Sequence, residues 1–279
     1  MINIDFLQYL IEYAKTQNLT KASRSLHLSQ SSLTRAMQKI EDYVGVPIFT
    51  KSKNKLTLTD TGLELVKNAK TVLETVNTMR ERTIAYYNSK TTISIGTVAP
   101  GPIIKYGNLL FSVFKGKSIT SKIDNLENLI QKLNNDTYDV IFTNVPIISS
   151  EISSQFIFQE NLFISIPKSH FLAGMTKGVH FKEIDGQSFL VANNLGIWDK
   201  IVAKELPKSR LFPQSMENLS EIVNSSIIPS FITNITKDLR ASFDRVNIRI
   251  LDEDASVNFY ICYKTKNKSK LKDLLRTIF

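Results

Sequence analysis

Apolar positions early in the chain recur at helical spacing and are cut by short polar turns. Ala22 and Leu26 lie four residues apart on one face of a short helix, with Thr20 placed to cap its start. His27, Leu28 and Ser29 form the turn, and Ser29 is a natural cap for a second helix. In that second helix Leu33, Met37 and Ile40 recur at i, i+4 and i+7 and face inward. Gln30, Ser31, Ser32, Thr34, Arg35 and Lys39 are left on its outward face. Amides, hydroxyls and guanidiniums on such a face suit base edges and phosphates in a major groove. The stretch reads as two short helices joined by a tight turn, followed from Val46 to Gly62 by a basic hairpin.

Lys51, Lys53 and Lys55 alternate in that hairpin, so period-two geometry puts them on one side of an arm. From Asp60 to Asn88 there is no proline, and Gly62 is the only glycine. Leu65, Ala69, Val72, Val76 and Met79 follow at spacings of four, three, four and three, with Val66 and Leu73 widening the stripe. This is a heptad seam on a helix of roughly 40 Å. It predicts a dimerisation helix, the alternative being a core helix of one domain.

Beyond Ser89 short β-rich runs alternate with helical ones. Strands are predicted at Thr92 to Gly96, Ser121 to Asp124, Tyr138 to Thr143, Phe156 to Phe158, Leu162 to Ile166, Phe189 to Ala192, Pro229 to Thr233, Asn247 to Leu251 and Asn258 to Tyr263. Helices are predicted at Pro102 to Phe114, Leu126 to Asn134, Asp199 to Leu206, Met216 to Asn224 and Ser269 to Phe279. The alternation argues for parallel α/β sheets. Length agrees with more than one domain, since 279 residues exceed what a single core usually serves.

Charge sharpens the picture at one end. The chain has 35 Lys and Arg against 26 Asp and Glu, a formal net charge of +9. Between Thr20 and Asp60 the bases are Lys21, Arg24, Arg35, Lys39, Lys51, Lys53 and Lys55, against the acids Glu41, Asp42 and Asp60. Such a patch favours polyanions through counterion release, while a lysine-rich solvated loop is the plainer reading of the hairpin alone. Cys262 is the single cysteine, which leaves no intramolecular disulfide and predicts a buried thiol. His27, His170 and His180 form no metal-ligand spacing. No phosphate loop, dinucleotide fingerprint or nucleophile elbow occurs, so no cofactor, metal or catalytic residue is predicted. No apolar stretch approaches the ~20 residues needed to span a bilayer, and a cytoplasmic protein is expected.

The string SQSSLTRAMQKIE, followed by VGVPIFTKS and LTLTDTG, resembles the DNA-binding domain of LysR-type transcriptional regulators. Ile40 and Val44 stand where that family usually has Leu, and Lys51 where it has Arg. A lysine cannot reproduce the bidentate fork of an arginine. ISIGTVAPGP, LNNDTYDVIFTN and FQENLFISIPKSHFLA are in turn similar to the family's effector domain, with Phe171 replacing a common Pro. The resemblance implies an α/β protein built from a winged helix-turn-helix at 1–59, a linker and dimerisation helix at 60–89, and a two-lobed periplasmic-binding-protein-like effector domain at 90–279. Lobe I would cover about 90–160 and 262–279, and lobe II about 161–261. It implies DNA contacts by Thr20, Lys21, Ser29, Gln30, Ser31, Ser32, Thr34, Arg35, Lys39, Lys51, Lys53 and Lys55.

In such lobes ligands sit where strand ends meet helix N-termini, which suit a carboxylate or another anion. The matching positions are Thr97, Val98, Ala99 and Pro100 before a helix start, Asn125 as a cap, Thr143 and Asn144 ending a strand, and Asn193 and Asn194 after FLVA. Each is equally an ordinary turn or cap residue. Trp198, the only tryptophan, reads as core or rim. The expectation is a homodimeric or homotetrameric regulator of operator DNA, controlled by a small-molecule effector. A DNA-binding protein with a purely oligomerising body is the first alternative, and an enzyme localised by its head the second.

Overall fold

The computed structural model describes residues 2–52, 55–88, 91–175, 177–237 and 244–279. It divides the chain into two compact units, Met1–Ile84 and Ala85–Phe279.

In the first unit α1 (Ile4–Thr16), α2 (Leu19–Ser25) and α3 (Gln30–Val44) precede a hairpin of β1 (Phe49–Ser52) and β2 (Lys55–Leu58), and α4 (Asp60–Asn88) follows. The buried Leu10, Tyr13, Ala22, Leu33, Met37, Ile40 and Ile48 form one core. Asn18, not Thr20, caps α2: its extended backbone places the side-chain oxygen to accept from the Lys21 N–H at 3.0 Å. Thr20 lies one residue inside the helix, where its hydroxyl donates to Gln30 Oε1 at 3.3 Å. The turn closes at His27 with φ 55°, and Ser29 caps α3 by accepting from the Ser32 N–H at 3.1 Å. α3 ends at Gly45 in the left-handed region, φ 75°.

Gly62 is required by close approach, because a Cβ there would sit 2.3 Å from the Ile48 carbonyl oxygen. The predicted seam on α4 needs a correction. Ala69 is 2% exposed and belongs to the core of the first unit, and half-buried Leu65 packs on the same core. The small Ala side chain lets α4 approach that core closely, so of the five seam positions Val72 and Met79 are the ones exposed.

The second unit runs β3 (Thr92–Thr97), α5 (Gly101–Val113), β4 (Ser118–Ile123), α6 (Leu126–Asn134), β5 (Val140–Thr143), β6 (Ile152–Pro167), α7 (Phe181–Ile184), β7 (Ser188–Ala192), α8 (Ile197–Glu205), β8 (Arg210–Gln214), α9 (Met216–Ser225), β9 (Ser230–Thr233), β10 (Arg245–Arg249), β11 (Ser256–Lys264) and α10 (Lys272–Ile278). The strand order is β4-β3-β5-β11-β6-β9-β7-β8, with β10 also on β6. β3, β4 and β5 pair in parallel, as do β7, β8 and β9. β6, β10 and β11 run antiparallel to their neighbours, so the sheet is mixed where alternation predicts a parallel one.

β6 makes the body two-lobed. Its first part pairs with β11 and its last residues with β9 and β10. The sequence reads it as two strands because Gln159, Glu160 and Asn161 interrupt its apolar residues. The strand continues through them because those polar groups have partners: the Asn161 N–H donates to Asn234 Oδ1 at 2.8 Å, and Glu160 accepts from Trp198. β8, absent from the predicted strands, pairs with β7 at an edge.

Candidate functional site

On α3 the side chains of Gln30, Ser31, Ser32, Thr34, Arg35 and Lys39 are exposed, opposite the buried Leu33, Met37 and Ile40; exposed Thr20 and Ser29 lie at its N-terminus, and exposed Lys21 is on α2. The unpaired N–H groups and positive dipole end of that first turn add to an anion-favouring surface. Lys39 Nζ sits 5.8 Å from the ring centroid of Phe6, which holds its stem against α1. Lys51 and Lys55 belong to the hairpin, opposite Leu56 and Ser52, and Lys53 lies outside the described residues. Glu41 is the residue that sequence reasoning missed here. Its Oε1 accepts from the N–H groups of Ile48 (2.9 Å) and Phe49 (3.1 Å), tying the start of the hairpin to α3.

In the second unit a cavity of about 310 Å³ opens where the start of α5 meets β6 and the elements of the second lobe. Its wall is mainly apolar, built from side chains such as Leu162, Val202, Leu219 and Phe231. Pro100, Asn193 and Asn194 line it, and Thr97, Pro100 and Asn194 line a neighbouring groove that includes Lys122. The other expected ligand positions do not reach either space. Val98 and Ala99 are buried, Asn125 caps α6 by accepting from the Asn128 N–H at 2.9 Å, and Asn144 lines neither. Thr143 is buried, and its hydroxyl donates to the Val145 carbonyl at 2.8 Å. The Thr97 hydroxyl is also engaged within its own loop, donating to the Ala99 carbonyl at 2.6 Å.

Glu160 is the most consequential residue absent from the sequence-based set. It is 2% exposed, lines the cavity, and accepts from Trp198 Nε1 at 3.1 Å. Burial pushes its carboxyl above the ordinary value, opposed by hydrogen bonds from Thr233 and Trp198. A signal for it does exist: Phe158, Glu160, Leu162 and Ile164 alternate along β6, so a charged residue falls on a buried face. Trp198 is buried in the wall itself.

Asp199 closes the start of α8. Its Oδ2 accepts from the N–H groups of Leu195 (2.9 Å) and Gly196 (3.1 Å). Beside it the Ile197 N–H donates to the Val98 carbonyl at 2.9 Å, joining the β3 loop to the second lobe. Gly196 has φ 66°, and a Cβ there would lie 2.0 Å from the Val98 oxygen, so glycine is required.

The fold joins a helix-turn-helix with a β-hairpin wing to a two-lobed α/β body on one chain. Residues 4–63 match the family model described as the bacterial regulatory helix-turn-helix protein of the lysR family. That match covers the helix-turn-helix segment of the chain and assigns this segment to the lysR type. The chain is 28% identical over 189 residues to the Hca operon transcriptional activator HcaR of Escherichia coli (strain K12), a match covering 66% of this chain and 63% of that protein. The chain thus spans less than two thirds of the length of that curated relative. Among solved structures it is similar to full-length OxyR C199D from Pseudomonas aeruginosa, at 19% identity and TM-score 0.53 over 100% of this chain and 95% of that one. It is similar also to full-length BenM, at 20% identity and TM-score 0.52 over 99% and 95%. At these identities the structural likeness speaks for the fold.

Proposed function

We propose that the protein is a sequence-specific DNA-binding transcriptional regulator whose body responds to a small molecule held in the cavity. The observation that carries the reading is the exposed polar face of α3, opposite its buried apolar face, within the segment that matches the regulatory helix-turn-helix model. In this reading Arg35 and its neighbours on α3 read bases and phosphates, and the lysines of the hairpin hold the backbone. HcaR, named as an operon activator, supports the regulatory role over an enzymatic one. No helix of the described residues is long and apolar enough to cross a membrane. A regulator of this kind works beside the DNA it binds, in the cytoplasm.

Two half-sites require two heads, and the exposed Val72 and Met79, with Val76 between them, are the part of α4 open to a second copy. We assign the DNA-binding domain to 1–59, the linker helix to 60–89 and the effector domain to 90–279. The cavity favours a sensing body over a bare scaffold, and its ligand acts by binding differently to assemblies with different DNA spacing.

The test begins with selection of operator fragments from random DNA by the full chain. Arg35→Ala is then titrated by fluorescence anisotropy across a salt series, with a loss of about 1–3 kcal/mol expected. Unchanged affinity at every salt concentration would remove α3 from the interface. Sedimentation of the Val72→Lys, Val76→Lys double variant should show the dimer lost, and an intact dimer would reject this part of α4 as the contact.

A further inference from the structure

The cavity's chemistry departs from the anionic ligand that the family resemblance suggests, on the reading above that this cavity is the effector site. Its polar focus is a buried carboxyl, Glu160, among apolar side chains. That carboxyl also fills the space at the first residue of α5, where a Cβ on Gly101 would lie 2.3 Å from Glu160 Oε2. The start of α8 is occupied by the carboxylate of Asp199. Of the three helix N-termini at the cavity, those of α5 and α8 thus already face carboxyl groups of the chain itself, and that of α9, at Met216, is capped by Ser215, whose Oγ accepts from the Asn218 N–H at 3.4 Å. Among the described residues none of the side chains lining the cavity is Lys, Arg or His, and exposed Lys122 lines the neighbouring groove instead. A carboxylate ligand would enter an apolar space beside two acids with no cation to pair with.

We propose that the cavity binds a compact apolar amine whose N–H donors pair with Glu160, and that it discriminates against carboxylates of the same skeleton. Glu160 accepts hydrogen bonds from Trp198 and Thr233, and a carboxylate has about four lone-pair sites, so acceptor capacity is left for a ligand. Burial holds the proton on this carboxyl beyond the ordinary range, and a bound ammonium takes over the neutralising role of that proton. Size sets the skeleton. The volume of about 310 Å³ is twice the ~150 Å³ of an apolar cavity that admits benzene, so one ring with a short chain fits.

The experiment is calorimetric titration of the full chain with phenethylamine and with hydrocinnamate, its carboxylate counterpart, alongside quenching of Trp198 fluorescence. The amine should bind roughly tenfold or more tightly than the carboxylate, the order of discrimination that one lost charge-assisted hydrogen bond produces. Glu160→Gln should abolish most of that preference. Ala192→Phe, which fills the cavity from its wall, should abolish amine binding while unfolding stays cooperative, and it serves if the Glu160 variant does not fold. Equal or tighter binding of hydrocinnamate, blocked by Ala192→Phe, would overturn the amine preference while leaving the cavity as the effector site. Amine binding untouched by Ala192→Phe would place the ligand elsewhere and overturn both. Failure of phenethylamine to bind at millimolar concentration would overturn the amine proposal.

Discussion

The indole N–H of Trp198 donates to Oε2 of Glu160 at 3.1 Å across the wall of the body cavity, two buried side chains held by one bond. The acid sits on β6 and the indole in the first turn of α8, so the contact is a polar link between the long strand and the second lobe. Opening the cavity must either keep this bond or leave a buried acceptor short of a donor, which is unfavourable by about 1–3 kcal/mol.

The buried acid gives stability a pH dependence with a definite sign. Burial raises the folded-state pKa of Glu160 above its ordinary 4.5, so in the window between them the native chain binds more protons than the unfolded one. Its contribution is fully present below 4.5 and is lost as pH rises through the raised folded value. Glu160→Gln, which stays neutral, removes that loss. The difference in Tm, variant minus wild type, should therefore grow with pH when thermal unfolding is followed upward from the acid side of the window. Parallel profiles would show that Glu160 does not carry the linkage.

The head was legible in the sequence to nearly the level of single residues, because its signals are local. The period of Leu33, Met37 and Ile40 and the cap at Ser29 each act within a few residues of chain. The slip at Thr20 is of the same kind: Asn18 and Thr20 are both good caps, and the extended backbone at Asn18 decides between them. The cavity was much less legible. Leu162, Trp198 and Phe231 meet only through the pairing of β6 with β9 and the seating of α8, and nothing in their spacing states that pairing. Loop residues such as Asn125 and Thr143 have the composition of a binding site and serve as a cap and a turn.

Thr97 separates these two roles by experiment. The sequence places its hydroxyl as a ligand contact, whereas in the fold it donates to the Ala99 carbonyl and accepts from the Ala99 N–H at 3.3 Å, pinning the loop before α5. The residue is 1% exposed. Thr97→Val keeps the shape and removes both bonds, so a stability loss of about 1–3 kcal/mol is expected in urea unfolding. Ligand affinity measured well below the transition should change little. A variant of unaltered stability but weakened ligand binding would return Thr97 to the site.

Cys262 is expected to be chemically quiet. Its thiol is buried, with Sγ 3.2 Å from Ser154 Oγ and 3.3 Å from Thr143 Oγ1. Burial pushes its pKa up, against the smaller opposing effect of those hydrogen bonds, so the reactive thiolate is scarce at neutral pH. A chromogenic disulfide reagent should label the native protein slowly and the urea-unfolded protein at once. Rapid labelling of the native state would show that the strand pairing of β11 with β5 opens readily.

Glu41 supplies the last test, because its carboxylate is engaged within the fold. Oε1 accepts from two successive backbone N–H groups, Ile48 and Phe49, at the point where the chain leaves α3 and enters the wing. These donors lie outside the β1–β2 register or at its first residue, so the carboxylate is what satisfies them. Glu41→Ala should destabilise the head by about 1–3 kcal/mol and loosen the start of the hairpin. Glu41→Gln keeps a carbonyl acceptor and should be milder. Native-state hydrogen exchange reads the bonds directly: protection of the Ile48 and Phe49 amides should fall in Glu41→Ala and be partly retained in Glu41→Gln. Unchanged exchange at both amides would mean that the wing is held to α3 by the packing of Ile48 and Phe49 alone.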